Sequence, residues 1–287
     1  MRKSSISSLL ILTTVGMLPV AHSDEKKTEW TLQLQERVKE EGQVKFRTVE
    51  KKVNWKPSET AIVIVDMWDD HHCPAAARRV VEMAPHMNRV IKAARDRGVL
   101  IVHAPSDCAN FYKGTPQRKN AETAPNALSK VKFQWNPFNP KHEGPLAGRL
   151  ERAGCACDTP QPCGRGRRAW TRQIAALEMD AKDAVSSSGR EIYNLLEQRG
   201  IVNVTIMGVH TNVCVLGRPF GIRQMVYLGK NVVLCRDLTD SYHRDPGKHF
   251  EGLKQIVEHI EKYWCPTITS ESISGEKPFR FKADKPK

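Results

Sequence analysis

A single cysteine in the C-terminal half of the chain has the surroundings of a nucleophile. Residues 201–207 form a mostly apolar run that ends at Gly208, which is typical of a buried parallel strand followed by a tight turn. A helix is predicted to begin near Asn212, so Cys214 falls in its first turn. The dipole and the free N–H groups of a helix N-terminus stabilise a thiolate. Cys214 is therefore predicted to be a nucleophile, with a buried structural cysteine as the alternative.

A carboxylate ends a second apolar run. The segment Ala61–Val65 is continuously apolar and is followed at once by Asp66, as expected for a parallel strand that is covered by helices on both faces. In open α/β sheets the catalytic and binding residues lie at the carboxyl ends of the strands. If the two strands are neighbours, Asp66 lies beside Cys214 and can act as its base; the alternative is that Asp66 caps the next helix.

The elements that must position these two residues alternate between strand and helix. This alternation predicts an α/β fold, a doubly wound, Rossmann-like parallel sheet of about six strands with helices on both faces. The further elements are predicted as a helix over 74–98, a strand over 99–104, a helix over 189–200, a strand over 231–236, a helix over 250–264 and an edge strand over 266–269. Residues 105–178 have little periodicity and are rich in Pro, Asn, Lys and Arg, so we interpret them as an insertion over the strand ends that shapes a substrate pocket.

The two ends of the chain are predicted to stand outside the main domain, residues 58–270. Residues 1–23 have the layout of a secretory signal peptide, with Arg2 and Lys3 before an apolar run and small residues before the cleavage point; an uncleaved anchor is the alternative. Residues 24–57 form an N-terminal arm, in which 24–42 has helical spacing and 43–55 alternates like a strand or edge hairpin. Residues 271–287 form a basic tail, predicted to fray from Gly275 onward.

The net charge and the cysteine content limit the classes of binding partner and the cellular compartment that we expect for the protein. The net charge of +13 comes from scattered residues with no long basic run, so we expect no nucleic-acid partner, and no membrane contact after cleavage of an exported chain. Of the eight cysteines, at least one besides Cys214 should be unpaired, and Cys235 in an apolar run is the candidate. Cys155, Cys157 and Cys163 are predicted to form a disulfide staple; a zinc site is the alternative, although no histidine is close in sequence to complete it.

One motif connects these observations to a known family. The octapeptide Gly208-Val209-His210-Thr211-Asn212-Val213-Cys214-Val215 resembles the signature of the isochorismatase-like cysteine hydrolases, which include the nicotinamidases. The resemblance covers Ala61–Ser106 and Asp180–Cys265. It implies a six-stranded parallel α/β domain with an Asp-Lys-Cys triad. It also implies a cis Val209–His210 peptide.

The resemblance also assigns roles to residues of this chain. Asp66 and Cys214 match the catalytic aspartate and cysteine, and the backbone N–H groups of His210 and Cys214 match an oxyanion hole. Lys182 is the lysine near the place of the third triad member, with a solvated surface lysine as the alternative. We further predict that His103, Arg218 and Arg223 bind the substrate, the two arginines by holding an anionic group, while a hydrogen-bonded structural histidine is the alternative for His103.

Nicotinamidases of this family carry a metal on an aspartate and several histidines. This chain offers Asp69, Asp70, His71, His72 and His103 in that region, but without the Asp-x-His spacing after the second strand. No metal and no other cofactor is therefore expected, with a bound metal as the alternative. The sequence thus predicts an exported cysteine hydrolase that acts on a small amide or a related C–N or enol-ether bond. A catalytically inactive small-molecule binding protein with the same fold is the alternative, and homo-oligomerisation stays open.

Overall fold

The structure, a computed structural model, describes residues 29–42, 45–146, 169–242 and 248–285. In these ranges the strands are β1 (Trp30–Lys39), β2 (Phe46–Trp55), β3 (Thr60–Val65), β4 (Leu100–Ala104), β5 (Ala184–Val185), β6 (Asn203–Val209), β7 (Asn231–Asp240) and β8 (Thr267–Ile268). The helices are α1 (Pro74–Asp96), α2 (Pro116–Glu122), α3 (Gly189–Gln198), α4 (Ile222–Tyr227), α5 (His249–Tyr263) and α6 (Glu271–Ser274). The predicted signal peptide and the Cys155, Cys157 and Cys163 cluster lie outside the described residues.

All eight strands join one sheet in the order β2-β1-β8-β7-β6-β3-β4-β5. The six strands from β8 to β5 run parallel to their neighbours, as predicted, whereas β1 pairs antiparallel with both β2 and β8. The predicted edge strand at 266–269 is β8, but it is not at the edge, because the β1–β2 hairpin extends the sheet beyond it.

The sheet has a hydrophobic core on each face. Residues of α3, α4 and α5 pack on one face, and residues of α1 and α6 pack on the other. Strand β3, at the centre, is buried along its whole length, which explains its unbroken apolar run. Burial of each large aliphatic side chain contributes about 1.5–3 kcal/mol, so these two layers fix the strand ends in place. None of the helices in the described ranges is long and apolar enough to cross a membrane.

Two predictions at the ends of the chain are wrong. The segment 24–42 was expected to be a helix or a loose arm, but Trp30–Lys39 is a strand whose alternate side chains Trp30, Leu32 and Leu34 are buried. The C-terminal segment was expected to fray from Gly275, but Phe281 is buried against the core and the Phe279 N–H donates to Asp237. In both segments the apolar side chains pack on the α1 face of the sheet despite the charged residues around them.

Candidate active site

Strand register places Asp66 beside the turn that leads to Cys214. Val65 pairs with Gly208 of β6 on one side and with Ala104 of β4 on the other, so the residue that follows Val65 lies between the two neighbouring strand ends. Asp66 itself has φ of +49°, in the left-handed region where Asp is tolerated. A Cβ at position 208 would lie 2.1 Å from the Val65 carbonyl oxygen, so only glycine permits this close approach.

The turn after β6 is held by hydroxyl groups at its base. The Val209–His210 peptide is cis, as the resemblance implied. Thr239 donates a hydrogen bond to the Gly208 carbonyl (2.7 Å), and Thr211 donates to the Asp240 carbonyl (3.0 Å). The segment Thr211–Val215 that carries Cys214 is a π-helical turn rather than the start of a regular α-helix. This turn presents Cys214 at the carboxyl end of the sheet.

Asp66 is the buried carboxyl group of the site. Its Oδ1 accepts a hydrogen bond from the Ser106 N–H (2.6 Å), whereas its buried Oδ2 accepts none of ordinary geometry among the described residues. Burial raises the pKa of Asp66 to about 6, opposed by the nearby Arg218 charge and by the neighbouring Cys214 thiol and Ser106. At neutral pH Asp66 is therefore ionised, with a pKa that suits a general base.

The Cys214 thiol lies next to this carboxyl group. Burial raises the pKa of the thiol well above its usual value, the Asp66 charge raises it further, and Arg218 lowers it. The sequence led us to expect a thiolate stabilised by a helix N-terminus, but desolvation outweighs that effect at a side chain that is only 6% exposed. The resting thiol is therefore protonated, and the adjacent Asp66 carboxylate is the group placed to accept its proton.

The cation of the site is Arg218 and not Lys182. Arg218 follows Cys214 by one helical turn, lies beside the thiol and is within electrostatic reach of Asp66. Burial lowers its pKa, but the neighbouring Cys214 and Asp66 outweigh this, so the net shift is upward and the guanidinium stays charged. Lys182 is exposed in the turn before β5, where its N–H donates to Asp180, and the structure does not bring it to the site.

Two predicted substrate-binding residues lie elsewhere. Arg223 is buried and donates to Glu143 of the insertion (2.7 Å), so it holds the insertion against the domain. The ring nitrogens of His103 are engaged by Gln173 (2.9 Å) and Asp183 (3.2 Å), which corresponds to the structural alternative for this histidine. Both side chains are occupied by the fold, and neither is available to a substrate at Cys214.

Aromatic rings form a wall on one side of the turn. Trp68 stacks on Trp170 with centroids 4.2 Å apart, and His71 contacts His210 at 5.0 Å, with Tyr242 5.2 Å from His210. Burial lowers the pKa of His71 to about 2 and that of His210 to about 3, so both imidazoles are neutral over the physiological range. The positive charge beside the thiol therefore comes from Arg218 and not from an imidazolium.

The side chains that were considered for a metal site include several that are engaged by other protein groups. Among the described residues, no three or more His, Cys, Asp or Glu side chains are grouped to hold a metal ion. The Asp69 carboxylate instead accepts hydrogen bonds from the Thr171 N–H and hydroxyl (2.8 and 2.6 Å), and both nitrogens of His103 are engaged as described above.

Comparison with known proteins gives structural relatives only. No protein-family model and no curated protein matches the chain. The chain is similar to isochorismatase-family cysteine hydrolases. A cysteine hydrolase from Pseudomonas syringae pv. phaseolicola 1448A is 14% identical with a TM-score of 0.48, covering 77% of this chain and 93% of its own. An isochorismatase family protein from Burkholderia thailandensis is 16% identical with a TM-score of 0.42, covering 76% and 95%. N-carbamoylsarcosine amidase from Thermoplasma acidophilum is 13% identical with a TM-score of 0.40, covering 74% and 97%.

Sequence reasoning missed two residues of the site. Ser106 fixes Asp66 through its N–H. Its position directly after Pro105, at the end of strand β4, is the signal in the sequence that could have identified it. Trp135 lies against Arg218, and no local pattern in the insertion marks it. Arg218 had been assigned to an anionic substrate; its spacing of four residues from Cys214 is the helical signal for a contact with the thiol.

Asp66→Asn is expected to change stability in a pH-dependent way. Because the folded-state pKa of Asp66 is raised, the carboxyl group stabilises the fold below the unfolded pKa of about 4, and this is lost as pH rises through about 6. Relative to wild type, the variant should therefore gain about 2 kcal/mol in free energy of unfolding between pH 4 and pH 8. Urea unfolding of both proteins at the two pH values measures this difference.

Asp240→Asn is the matched control for this measurement. Asp240 is also fully buried, but Arg79 and His249 hold its pKa below the usual range against the effect of burial. Removal of this charge should lower the free energy of unfolding, and this decrease should not become smaller as pH rises. A stability difference between Asp66→Asn and wild type that is constant from pH 4 to pH 8 would contradict the raised pKa of Asp66.

Proposed function

We propose that the chain is a cysteine hydrolase that cleaves the C–N bond of a small amide through a thioester on Cys214. The observation that carries this proposal is the grouping of a buried carboxyl group, a thiol and a guanidinium where the central strands end, with Asp66 and Arg218 both beside Cys214. A nucleophile next to a base that is itself oriented by a third group is the arrangement that covalent catalysis requires.

The first half of the reaction forms the thioester. Asp66 accepts the thiol proton as the Cys214 sulfur bonds to the carbonyl carbon of the amide. Arg218 stabilises the negative charge that develops beside it, and because its charge is permanent it cannot serve as the proton donor. The C–N bond then breaks, the nitrogen takes the proton from Asp66, and the amine or ammonia leaves.

The second half releases the acid. Water gives a proton to Asp66 while its oxygen attacks the thioester carbonyl. The C–S bond breaks, and the Cys214 sulfur regains its proton from Asp66, so the carboxylic acid leaves and the resting state returns. Ionised Asp66 starts each half, so the proposed mechanism needs a pH above about 6 to run at its full rate.

The N–H groups of His210 and Cys214 keep their proposed role as an oxyanion hole. His210 directly precedes the π-helical turn and Cys214 lies within it, and the His210 carbonyl accepts hydrogen bonds from the Val213 and Val215 N–H groups (2.9 and 3.1 Å). Donors placed beside the nucleophile in this way would stabilise the tetrahedral intermediate by hydrogen bonding.

Mass spectrometry of trapped intermediates tests the proposal. Purified protein is incubated with a panel of small aliphatic and heteroaromatic primary amides and N-carbamoyl amino acids, and quenched in acid. We expect the intact mass to increase by the acyl group of a substrate, the adduct to map to Cys214, and the corresponding amine or ammonia to accumulate. The Asp66→Asn variant is the control and should form no adduct.

The alternative, a binding protein without turnover, is favoured by the exposure of Lys182 and by the raised pKa of the Cys214 thiol. It predicts that calorimetry detects binding of an amide from the same panel while no adduct and no product form. That outcome would contradict the proposed hydrolase activity.

A further inference from the structure

A segment of the insertion is fastened to the residues that follow the candidate nucleophile. We call residues 132–136 the strap. The Asn136 N–H donates to the Gly217 carbonyl (2.6 Å), the Gln134 N–H donates to the Gln224 side chain (3.2 Å), and that side chain donates back to the Lys132 carbonyl (3.3 Å). The strap is therefore anchored on both sides of Arg218, the site cation.

The strap places an aromatic ring on Arg218. The Arg218 guanidinium carbon lies 4.8 Å from the centre of the Trp135 ring, which is within the range of a cation–π contact. Trp135 is 50% exposed, so burial in the core does not account for its position. The same guanidinium contacts the Cys214 thiol and lies close to Asp66.

An arginine in this place needs such support. Its long side chain has many rotamers, and holding one of them costs conformational entropy. The buried Nε of Arg218 has no hydrogen-bond partner among the described residues. The neighbours of the guanidinium include the thiol, the Asp66 and Asp107 charges that attract it, and the Trp135 ring.

We propose that Trp135 is a positioning residue that holds the Arg218 guanidinium against the Cys214 thiol and Asp66. The inference rests on the proposed function only in taking Cys214 as the nucleophile. Removal of the ring lets the guanidinium swing toward solvent, which weakens its stabilisation of the thiolate and makes Cys214 less reactive at a given pH.

Phe138 provides a matched comparison for Trp135. It is 49% exposed, lies just after the strap, and its ring is 5.7 Å from a different arginine, Arg223, which is paired with Glu143. Loss of Phe138 removes a similar exposed ring and a similar contact with a guanidinium, but leaves the neighbours of the thiol unchanged.

The test is the rate at which iodoacetamide alkylates Cys214, followed from pH 6 to pH 10 by peptide mass spectrometry, which needs no substrate. Trp135→Ala and Trp135→Leu should slow the reaction about fivefold at neutral pH and move the pH profile upward, since a cation–π contact is expected to have an effect of this size. Trp135→Phe keeps an aromatic face and should stay near the wild-type rate, as should Phe138→Ala.

A double variant separates positioning from a general effect on the fold. In an Arg218→Ala background, Trp135→Leu should add no further slowing, because the group that the ring positions is absent. A wild-type alkylation profile in Trp135→Leu, or the same slowing with and without Arg218, would overturn the proposal. Alkylation is measured without turnover. The effect of Trp135 on Cys214 can therefore be judged even if none of the amides in the panel is hydrolysed.

Discussion

Cys214→Ala is expected to abolish turnover while the fold stays intact. The thiol is the atom that forms the proposed thioester, and no neighbouring group replaces a nucleophile, so the rate should fall on the order of 10⁴-fold or more. The side chain is small and lies at the end of the sheet, so its truncation should cost little stability. Steady-state kinetics on an amide identified from the panel measures the loss, and thermal unfolding followed by circular dichroism monitors the fold.

Cys235→Ala is the control for this prediction. Cys235 is also a buried free thiol, in β7, but it packs in the core on the α1 face of the sheet. Its loss should leave the rate within about twofold of wild type, since no reacting group is removed. A Cys214→Ala enzyme with the wild-type rate, or a Cys235→Ala enzyme without activity, would show that the nucleophile is misassigned.

The sequence predicted the parts of the fold whose burial is uniform. Strand β3 is covered on both faces, so its apolar run is continuous and easily recognised. Asp66 and Cys214 could be predicted to converge because parallel neighbours end at the same edge of a sheet, and the β3–β6 register brings them together. The prediction that Cys235 is a free buried thiol is confirmed for the same reason, because it lies within an apolar strand.

Segments with mixed burial were harder to predict. In β1 the buried residues Trp30, Leu32 and Leu34 alternate, but Val38 further along reaches the surface, and apolar residues at these spacings also fit a helix. The hairpin depends on a partner strand that lies close in sequence and on β8, which lies more than 200 residues away, and only the fold shows that contact.

The cation of the site could not be predicted from the family motif. The resemblance implied a lysine before the nucleophile strand, and Lys182 was the residue near that place. Arg218 instead approaches the site from the other direction, along the turn that carries Cys214. A long side chain can supply the same charge from a different point in the chain, so a position in sequence does not determine which residue supplies it.

Arg218→Ala is accordingly expected to impair catalysis severely, and Lys182→Ala is expected to have almost no effect. Loss of a fixed positive charge beside the reacting atoms should lower kcat/KM about 10²–10³-fold. Arg218→Lys keeps the positive charge but lacks the planar guanidinium group, so it should retain more of the wild-type rate than Arg218→Ala. Lys182 is exposed, and its truncation should change kcat/KM by less than about twofold.

The pH profile distinguishes a role in the site from a loss of stability. Arg218 lowers the pKa of Asp66 against the effect of burial, so without this charge the Asp66 pKa rises above about 6. Asp66 must be ionised to accept the thiol proton, and therefore the acid limb of kcat/KM should move to higher pH in Arg218→Ala and less so in Arg218→Lys. A variant that was only less stable would lose activity without such a shift. If Lys182→Ala were inactive and Arg218→Ala nearly as active as wild type, the catalytic cation would be Lys182. That result would contradict the assignment of Arg218 to the site.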